Sequence, residues 1–177
     1  MKVGKFLVAF VFSLIFMARN CFAFGESDPI ALQDLNNNPS NYVVCGGASI
    51  GVVFYVYKNS IDVQNYSPPN YQIAFKMLNY SSNGMKGEYF RERAYYMDKK
   101  YKYDYNERKI YIERQDENGN LYWQFIDPKI IGTFEGYKQG WDKDMAAGEI
   151  AFYIIYGRSF FDSPVSKSAE AYINGKN

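Results

Sequence analysis

Histidine is absent from this sequence of 177 residues. The commonest general base near neutral pH is therefore missing, and with it the Ser-His and Cys-His nucleophile pairs and the usual zinc sites. The sequence also lacks a phosphate-binding loop, a dinucleotide fingerprint, an EF-hand loop and a CxxC pair. These absences exclude the common catalytic arrangements. We expect a protein without a cofactor or a bound metal that is not an enzyme.

Cysteine is scarce, because the chain contains only Cys21 and Cys45. Cys21 lies in an N-terminal segment that we expect to be removed, so the mature chain can form no internal disulfide. Cys45 stands in YVVCGGASIGVVFYVY, among β-branched and aromatic residues, where a cysteine is usually a small buried hydrophobic residue. A single cysteine in a secreted chain can also form an intermolecular bridge or act as a reactive thiol, and these remain alternatives.

Long uncharged runs are also rare, and the one at the N-terminus has the order of a secretory signal peptide. The segment MKVGK carries two lysines, FLVAFVFSLIFMA is uncharged, and Ala23 is a small residue at a suitable cleavage site. Arg19 ends the run before it reaches the roughly 20 residues needed to cross a bilayer. We expect residues 1–23 to be cleaved and residues 24–177 to form a single secreted α+β domain. An uncleaved membrane anchor is the alternative.

The mature chain is close to neutral, which excludes some partners. The full sequence has 20 basic and 19 acidic residues, and cleavage removes Lys2, Lys5 and Arg19, leaving a net charge of −2. Nucleic-acid binding relies on basic residues that neutralise phosphates, so we expect no nucleic-acid partner. We also expect no stable membrane insertion after cleavage, and a location in the periplasm, at the cell surface or outside the cell.

The central part of the chain, residues 42–126, has the pattern of an antiparallel sheet. YQIAFKML and YKYDY alternate large apolar or aromatic residues with smaller or polar ones, as half-buried strands do. The segment NYSPPNY interrupts the strands, because prolines are excluded from central strands. KIYIERQ and LYWQFID flank Asn118-Gly119, which is a strong hairpin signal. We predict a single antiparallel sheet of about five to six strands.

The stretch WDKDMAAGEIAFYIIYGRSFF predicts the helix that covers this sheet. Asp142 is a plausible N-cap and Asp144 lies in the first turn, where an acid favours the helix dipole. Residues 145–156 are apolar at helical spacing, but they are too few to span a bilayer. We therefore predict an α+β fold with one C-terminal helix, at about residues 142–161, packed on the sheet. Residues 163–177 are predicted to be a flexible tail.

Glu149 is the one acid inside the apolar part of this helix. A carboxyl group there could have a raised pKa and act in catalysis, or it could contact a ligand. The interpretation we favour is structural, with the side chain at the solvent edge of the helix or paired with an arginine.

The chain has 18 tyrosines, and YYMDKKYKYDYNERKIY interleaves them with charged residues. Strand alternation places Tyr101, Tyr103 and Tyr105 on one side, and tyrosine suits a half-buried sheet surface that keeps its hydroxyl groups in water. We predict a solvated strand face that could serve as a contact surface for an unknown protein or glycan. The predicted function is a secreted or envelope-associated, non-enzymatic binding module.

A hydrolase that uses only carboxylates, directed at glycans, is the alternative function. Glycosidases need two carboxyl groups about 5 to 10 Å apart. Two pairs of acids stand close together in the sequence, Asp98 with Asp104 and Asp142 with Asp144. These acids are more simply explained as turn and cap residues.

Several segments in order resemble an uncharacterised family of small secreted bacterial proteins. They are YVYKNSIDVQNYSPPNYQIAF, the tyrosine-rich YYMDKKYKYDYNERKIYI, LYWQFIDP and GEIAFYIIYGRSFFD, and together they cover residues 55–162. The sequence departs from the family pattern at Lys58-Asn59, where an acid is usual before Ser60-Ile61. More remotely, the strand order and the Y-x-Y-x-x-S-I start are similar to surface-adhesin E-like domains. The resemblance implies a bacterial envelope or extracellular setting and implies no activity.

Overall fold

The computed structural model describes residues 28–48, 51–82 and 92–175. The predicted signal peptide, residues 1–23, and its cleavage site lie outside the described residues. The strands that the structure describes are β1 (Tyr42–Ala48), β2 (Val52–Tyr57), β3 (Asp62–Ser67), β4 (Asn70–Ser81), β5 (Arg93–Asp104), β6 (Lys109–Gln115) and β7 (Leu121–Phe125). The α-helices are α1 (Pro29–Asn37), α2 (Phe134–Lys138), α3 (Trp141–Tyr156) and α4 (Lys167–Ile173).

All seven strands belong to one antiparallel sheet, with the order β1-β2-β4-β5-β6-β7. The long strand β4 pairs along one edge with two strands, because residues 77–81 pair with β2 and residues 70–74 pair with β3. The predicted α+β class with a single antiparallel sheet is confirmed, although the sheet has seven strands rather than five to six.

A short turn sets the boundary between β2 and β3. The sequence pattern continues from one into the other, but a 3-10 turn at Lys58–Ser60 separates them. The Ser60 hydroxyl donates to the Tyr57 carbonyl at 2.7 Å and accepts from the Lys76 amide at 2.8 Å. This side chain fixes the turn and joins it to β4, an effect that strand alternation does not show.

Helix α3 packs on one face of the sheet and forms the main core with it. The helix begins after Gly140 and ends before Gly157, which both have positive φ angles, of 70° and 64°. It therefore stops five residues before the predicted end at residue 161, because a left-handed residue at the C-cap terminates an α-helix. Asp142 is not the N-cap as predicted: its Oδ1 accepts a hydrogen bond from the Gly132 amide at 2.8 Å.

The centre of α3 lies unusually close to the sheet at Gly148. A Cβ atom at this position would lie 3.0 Å from the ring of Tyr101, which is tighter than ordinary packing. An alanine here would require the Tyr101 ring to shift by a few tenths of an ångström, which works against the advantage of about 1 kcal/mol that alanine has over glycine in a helix. Within the described ranges, no helix has both the length and the apolar character needed to cross a membrane.

Helix α1 covers part of the opposite face of the sheet and was not predicted. Asp28 caps its first turn by accepting from the amides of Ile30 and Ala31, and Pro29 occupies the first position. The helix packs in a second, smaller core with the sheet residues Tyr42, Tyr55, Tyr57, Leu78, Tyr80, Ala94 and Tyr96. Because α1 is short, no helix in the described ranges covers the remainder of this face.

The segment predicted to be a flexible tail contains helix α4, which packs against α3. Ser166 is its N-cap and accepts from the Ala169 amide at 3.2 Å, and the Ala169 side chain is fully buried. The prediction of an unstructured tail was wrong for residues 167–173. The anchor of this helix is Glu149 of α3, which lies outside the segment itself.

Candidate functional site

The tyrosines that were predicted to form a contact surface lie on the covered face of the sheet. Tyr101 and Tyr103 have no exposed surface, and their hydroxyl groups donate to the main-chain carbonyls of Asp144 and Gly148 at 2.9 Å. The prediction of a solvated contact surface was therefore wrong for both residues. Alternation showed correctly that the two share a face, but the position of α3 decides that this face is buried.

Tyr105, the third residue of that predicted surface, is half-buried at the end of β5. Two guanidinium groups lie near its ring, with the Arg108 group 4.1 Å and the Arg158 group 4.6 Å from the ring centroid. It also packs on Phe152 and Phe160. Both arginines pack on the tyrosine ring, and Tyr105 lies at the edge of the main core.

The exposed surface with the strongest functional character is the half of the opposite face that α1 leaves uncovered. Strand register places side chains on it in cross-strand rows. We call this surface the open face and define it by Asp62, Gln72, Ala74, Lys76, Asp98, Lys100, Lys102, Tyr111, Glu113, Trp123 and Phe125.

A shallow groove of about 350 Å³ runs along the open face. Ala74 of β4 forms part of its lining, and its register partners Asp62 of β3 and Lys100 of β5 carry longer side chains on either side. Lys100 forms an ion pair of 3.5 Å with Glu113 of β6. The groove therefore results from one small residue in a row of long charged residues.

Aromatic side chains of β6 and β7 lie on the open face beyond the residues that line the groove. Tyr111 and Phe125 are register partners whose ring centroids are 5.7 Å apart, and the Lys102 ammonium lies 5.8 Å from the Tyr111 ring. Trp123 is the register partner of Glu113 and is partly exposed. The open face thus combines charges of both signs with amphipathic aromatic rings.

The predicted carboxylate pairs do not converge on this surface or elsewhere. Asp98 and Asp104 stand six residues apart on β5, which corresponds to about 20 Å along a strand. Asp142 and Asp144 are two positions apart on α3, so their side chains leave the helix in different directions. The groove instead brings Asp98 to the same surface as Glu113, a relationship that requires the strand register to be known.

Asp144 is fully buried at the start of α3 and is surrounded by cations. Its carboxylate lies 2.6 Å from Arg114, 3.2 Å from Lys143 and 3.5 Å from Lys99. Burial alone would raise the pKa of Asp144, but the three cations outweigh that effect and lower the pKa below its ordinary value. The cluster joins α3 to β5 and β6. The buried acid Asp144 therefore has a structural role as the anion of these ion pairs.

Glu149 is also buried, contrary to the prediction that it lies at the helix edge or pairs with an arginine. Its two carboxylate oxygens accept from the Val165 amide at 2.6 Å and from the Ser166 amide at 3.0 Å. Burial raises the pKa of Glu149, and the backbone hydrogen bonds oppose this shift. The side chain holds the start of α4 against α3. This is a structural role, as we favoured from the sequence, but the partners are two main-chain amides rather than an arginine.

Cys45 lies in a β-bulge of β1, where the register with β2 shifts between Val44 and Gly46. Its side chain is almost fully buried, and its thiol is 3.8 Å from the sulfur of Met77. Burial raises the pKa of the thiol. The predicted burial of Cys45 is confirmed, and its reactivity stays a prediction.

Comparison with known proteins gives no match: no family model, no curated protein and no solved structure is similar to this chain. Among the described residues, no group of three or more acidic, cysteine or histidine side chains is placed to hold a metal ion. The resemblance to a family of secreted bacterial proteins therefore stays an expectation from sequence, and function must be inferred from the surface.

Proposed function

We propose that the protein is a secreted or envelope-associated binding module that contacts a partner protein through the open face. The observation that carries this proposal is that helices cover the two faces of the sheet to different extents. Helix α3 covers one face, and α1 covers only part of the other. The remainder carries aromatic side chains beside a groove that lies in solvent.

The composition of the open face suits a partner protein. Tryptophan and tyrosine are enriched at interface positions that contribute most of the binding energy, and Trp123 and Tyr111 offer both. Lys100, Asp98 and Glu113 lie on the same face, and Lys100 pairs with Glu113 across β5 and β6. A partner with the complementary pattern would gain orientation and specificity from these groups more than affinity.

The proposed location rests on the N-terminal sequence. The basic segment, the uncharged run and Ala23 have the order of a secretory signal. The proposal of export is independent of the proposal for the open face. Intact mass of the exported protein tests it, since removal of residues 1–23 leaves a chain that begins at Phe24.

A photo-crosslinking amino acid at position 123 tests the contact surface. The matched control places it at Tyr122, the neighbour on β7 whose side chain points to the other side of the strand and is 46% exposed. In cells that export the protein, we expect one discrete protein adduct from position 123 and none from position 122. Excess wild-type protein should abolish the adduct, whereas excess protein with Trp123→Ala and Tyr111→Ala should not.

Other results would contradict the proposal. Equal adducts from both positions would show non-specific contact, and no adduct would remove the support for a partner at this face. An adduct that consists of glycan would replace the protein partner with a carbohydrate. Thermal melts of each variant show first that the fold is unchanged.

A carboxylate-only hydrolase remains the second candidate, because one observation favours it. Lys100 pairs with Glu113 across β5 and β6. Asp98 lies two residues before Lys100 on β5, so Asp98 and Glu113 are diagonal neighbours on the two strands. Diagonal cross-strand neighbours are about 7–8 Å apart, within the range of an inverting glycosidase. Release of reducing ends from cell-wall oligosaccharides by wild type, and its loss in Asp98→Asn, would support this candidate; no release by wild type removes it.

A further inference from the structure

A second cleft lies on the side of the sheet opposite the open face. It has a volume of about 680 Å³ and is bounded by β1, α2, the start of α3 and the start of α4. Clefts of about 300–1,000 Å³ are the size that small-molecule sites have in proteins. Neither the open face nor the predicted function makes use of it.

The wall of this cleft is mainly apolar. Phe54 of β2, Ile131, Tyr137 of α2 and Val165 contribute to it, together with main-chain atoms of Gly46 and Gly47. Tyr137 is 52% exposed, which is high for an aromatic side chain that lines a concave surface. An apolar molecule in the cleft would remove this ring and the Ile131 and Val165 side chains from water, which is favourable.

The charged groups of the cleft are mostly cations. Lys138, Lys143 and Lys167 line it, and Asp142 is the one acid among the lining residues that the structure describes. Lys143 is already engaged, since its ammonium is 3.2 Å from Asp144 and donates to the Gly140 carbonyl at 3.0 Å. Lys138 and Lys167 are exposed, and within the part of the chain that the structure describes neither forms an ion pair.

Neither Asp142, which lines the cleft, nor the buried Glu149 pairs with Lys138 or Lys167. Asp142 accepts from the Gly132 amide through Oδ1 at 2.8 Å, and Glu149 lies beneath the surface with both oxygens bonded to the amides of Val165 and Ser166. The cleft therefore presents an apolar interior together with two cations that have no anionic partner among the described residues.

We propose that this cleft binds a small anionic amphiphile, that is, an apolar chain or ring with one acidic head group. The apolar body lies against Phe54, Ile131 and Val165, and the head group lies between Lys138 and Lys167. A neutral molecule would forgo the interaction with the lysines, and a cationic one would be repelled. The site is independent of the open face, so neither proposal depends on the other.

The octyl series of compounds tests this assignment, because octanoate, octanol and octylammonium differ only in the charge of the head group. Titration of the isotope-labelled protein, followed by amide NMR, measures both affinity and location. We expect octanoate to bind saturably and to shift the amide signals of Gly47, Gly132 and Lys167. Octanol should bind more weakly, and octylammonium should not saturate the site.

Charge-matched variants make the test specific. Lys138→Gln with Lys167→Gln should weaken octanoate binding about fivefold or more, as expected for two exposed charge pairs. Lys76→Gln with Lys102→Gln removes the same charge from the open face and should leave the affinity unchanged. All four lysines are at least partly exposed, so both variants are expected to fold.

Three outcomes would overturn the proposal. Absence of saturable octanoate binding removes the ligand class. Equal affinity for octanol and octanoate, or equal weakening by the two double variants, shows that the lysines do not recognise an acidic head group. Amide shifts confined to other parts of the protein show that the cleft is not the site.

Discussion

The buried hydroxyl groups of Tyr101 and Tyr103 allow a quantitative test of how the sheet and α3 are joined. Each hydroxyl donates a 2.9 Å hydrogen bond to a main-chain carbonyl of α3, at Asp144 and at Gly148. Phenylalanine keeps the ring and removes only the hydroxyl. The variants Tyr101→Phe and Tyr103→Phe, alone and together, therefore report on these two bonds and leave the packing of the rings in place.

The expected magnitude follows from what each change leaves behind. The two carbonyls also accept from the amides four residues further along α3, as helix carbonyls do, so removing the tyrosine hydroxyl orphans no buried acceptor. The loss is then the net value of a hydrogen bond, about 0.5–1.5 kcal/mol for each variant. The double variant should lose about 1–3 kcal/mol of the free energy of unfolding.

Thermal unfolding followed by circular dichroism is the assay. In a domain of this size, about 1 kcal/mol corresponds to about 2–4 °C in Tm, so the double variant should melt several degrees below wild type. Tyr122→Phe is the control, because that residue is exposed and should show no change. If the double variant has the same Tm as wild type, the two hydroxyl groups contribute nothing to the contact between α3 and the sheet. That result would favour hydroxyl groups that lie in water, as predicted from the sequence.

Three further predictions concern the core and its ionisable groups. Ile150→Ala, at a fully buried position of α3, should cost about 2–5 kcal/mol in denaturant unfolding, whereas Ile30→Ala, at an exposed position of α1, should cost under about 0.5 kcal/mol; similar values would show that α3 is not the main cover of the sheet. Glu149→Ala should increase amide hydrogen exchange at Val165 and Ser166 far more than in the core strands, because both amides lose their acceptor; unchanged exchange would contradict the assigned contact. Asp144→Asn should destabilise the protein by about 3 kcal/mol at neutral pH, since three cations lose their anion, and a cost under about 1 kcal/mol would show that the cluster contributes little.

The pH dependence of Asp144 has a definite sign. Its folded pKa lies below its ordinary value, so its contribution to stability is complete above an unfolded pKa of about 3.9 and is lost as the pH falls through the folded pKa. The folded pKa of Glu149 is raised, so its effect on stability has the opposite sign. As the pH falls through that pKa, the carboxylate is protonated and the cost of burying its charge is removed. Comparing acid unfolding of wild type with Asp144→Asn should therefore show a shallower loss of stability below about pH 4 in the variant.

The secondary structure of the sheet followed from local pattern. Alternation in YQIAFKML and the Asn118-Gly119 turn predicted β4 and the β6–β7 hairpin, because a strand places successive side chains on opposite faces and glycine readily adopts the positive φ that the turn requires. The helical spacing between Met145 and Tyr156 likewise predicted α3. These are short-range properties, and the sequence alone is sufficient to specify them.

Tertiary structure decided which polar groups are buried and what they contact. The alternation that puts Tyr101 and Tyr103 on one face is the same whether that face meets water or a helix. Their hydroxyls can be buried only because α3 supplies two carbonyls at hydrogen-bond distance, 43 and 45 residues further along the chain. Burial of Glu149 depends in the same way on the amides of Val165 and Ser166. The sequence determined the faces of each element, whereas the partners that satisfy buried polar groups were determined by the packing of elements that are distant in the chain.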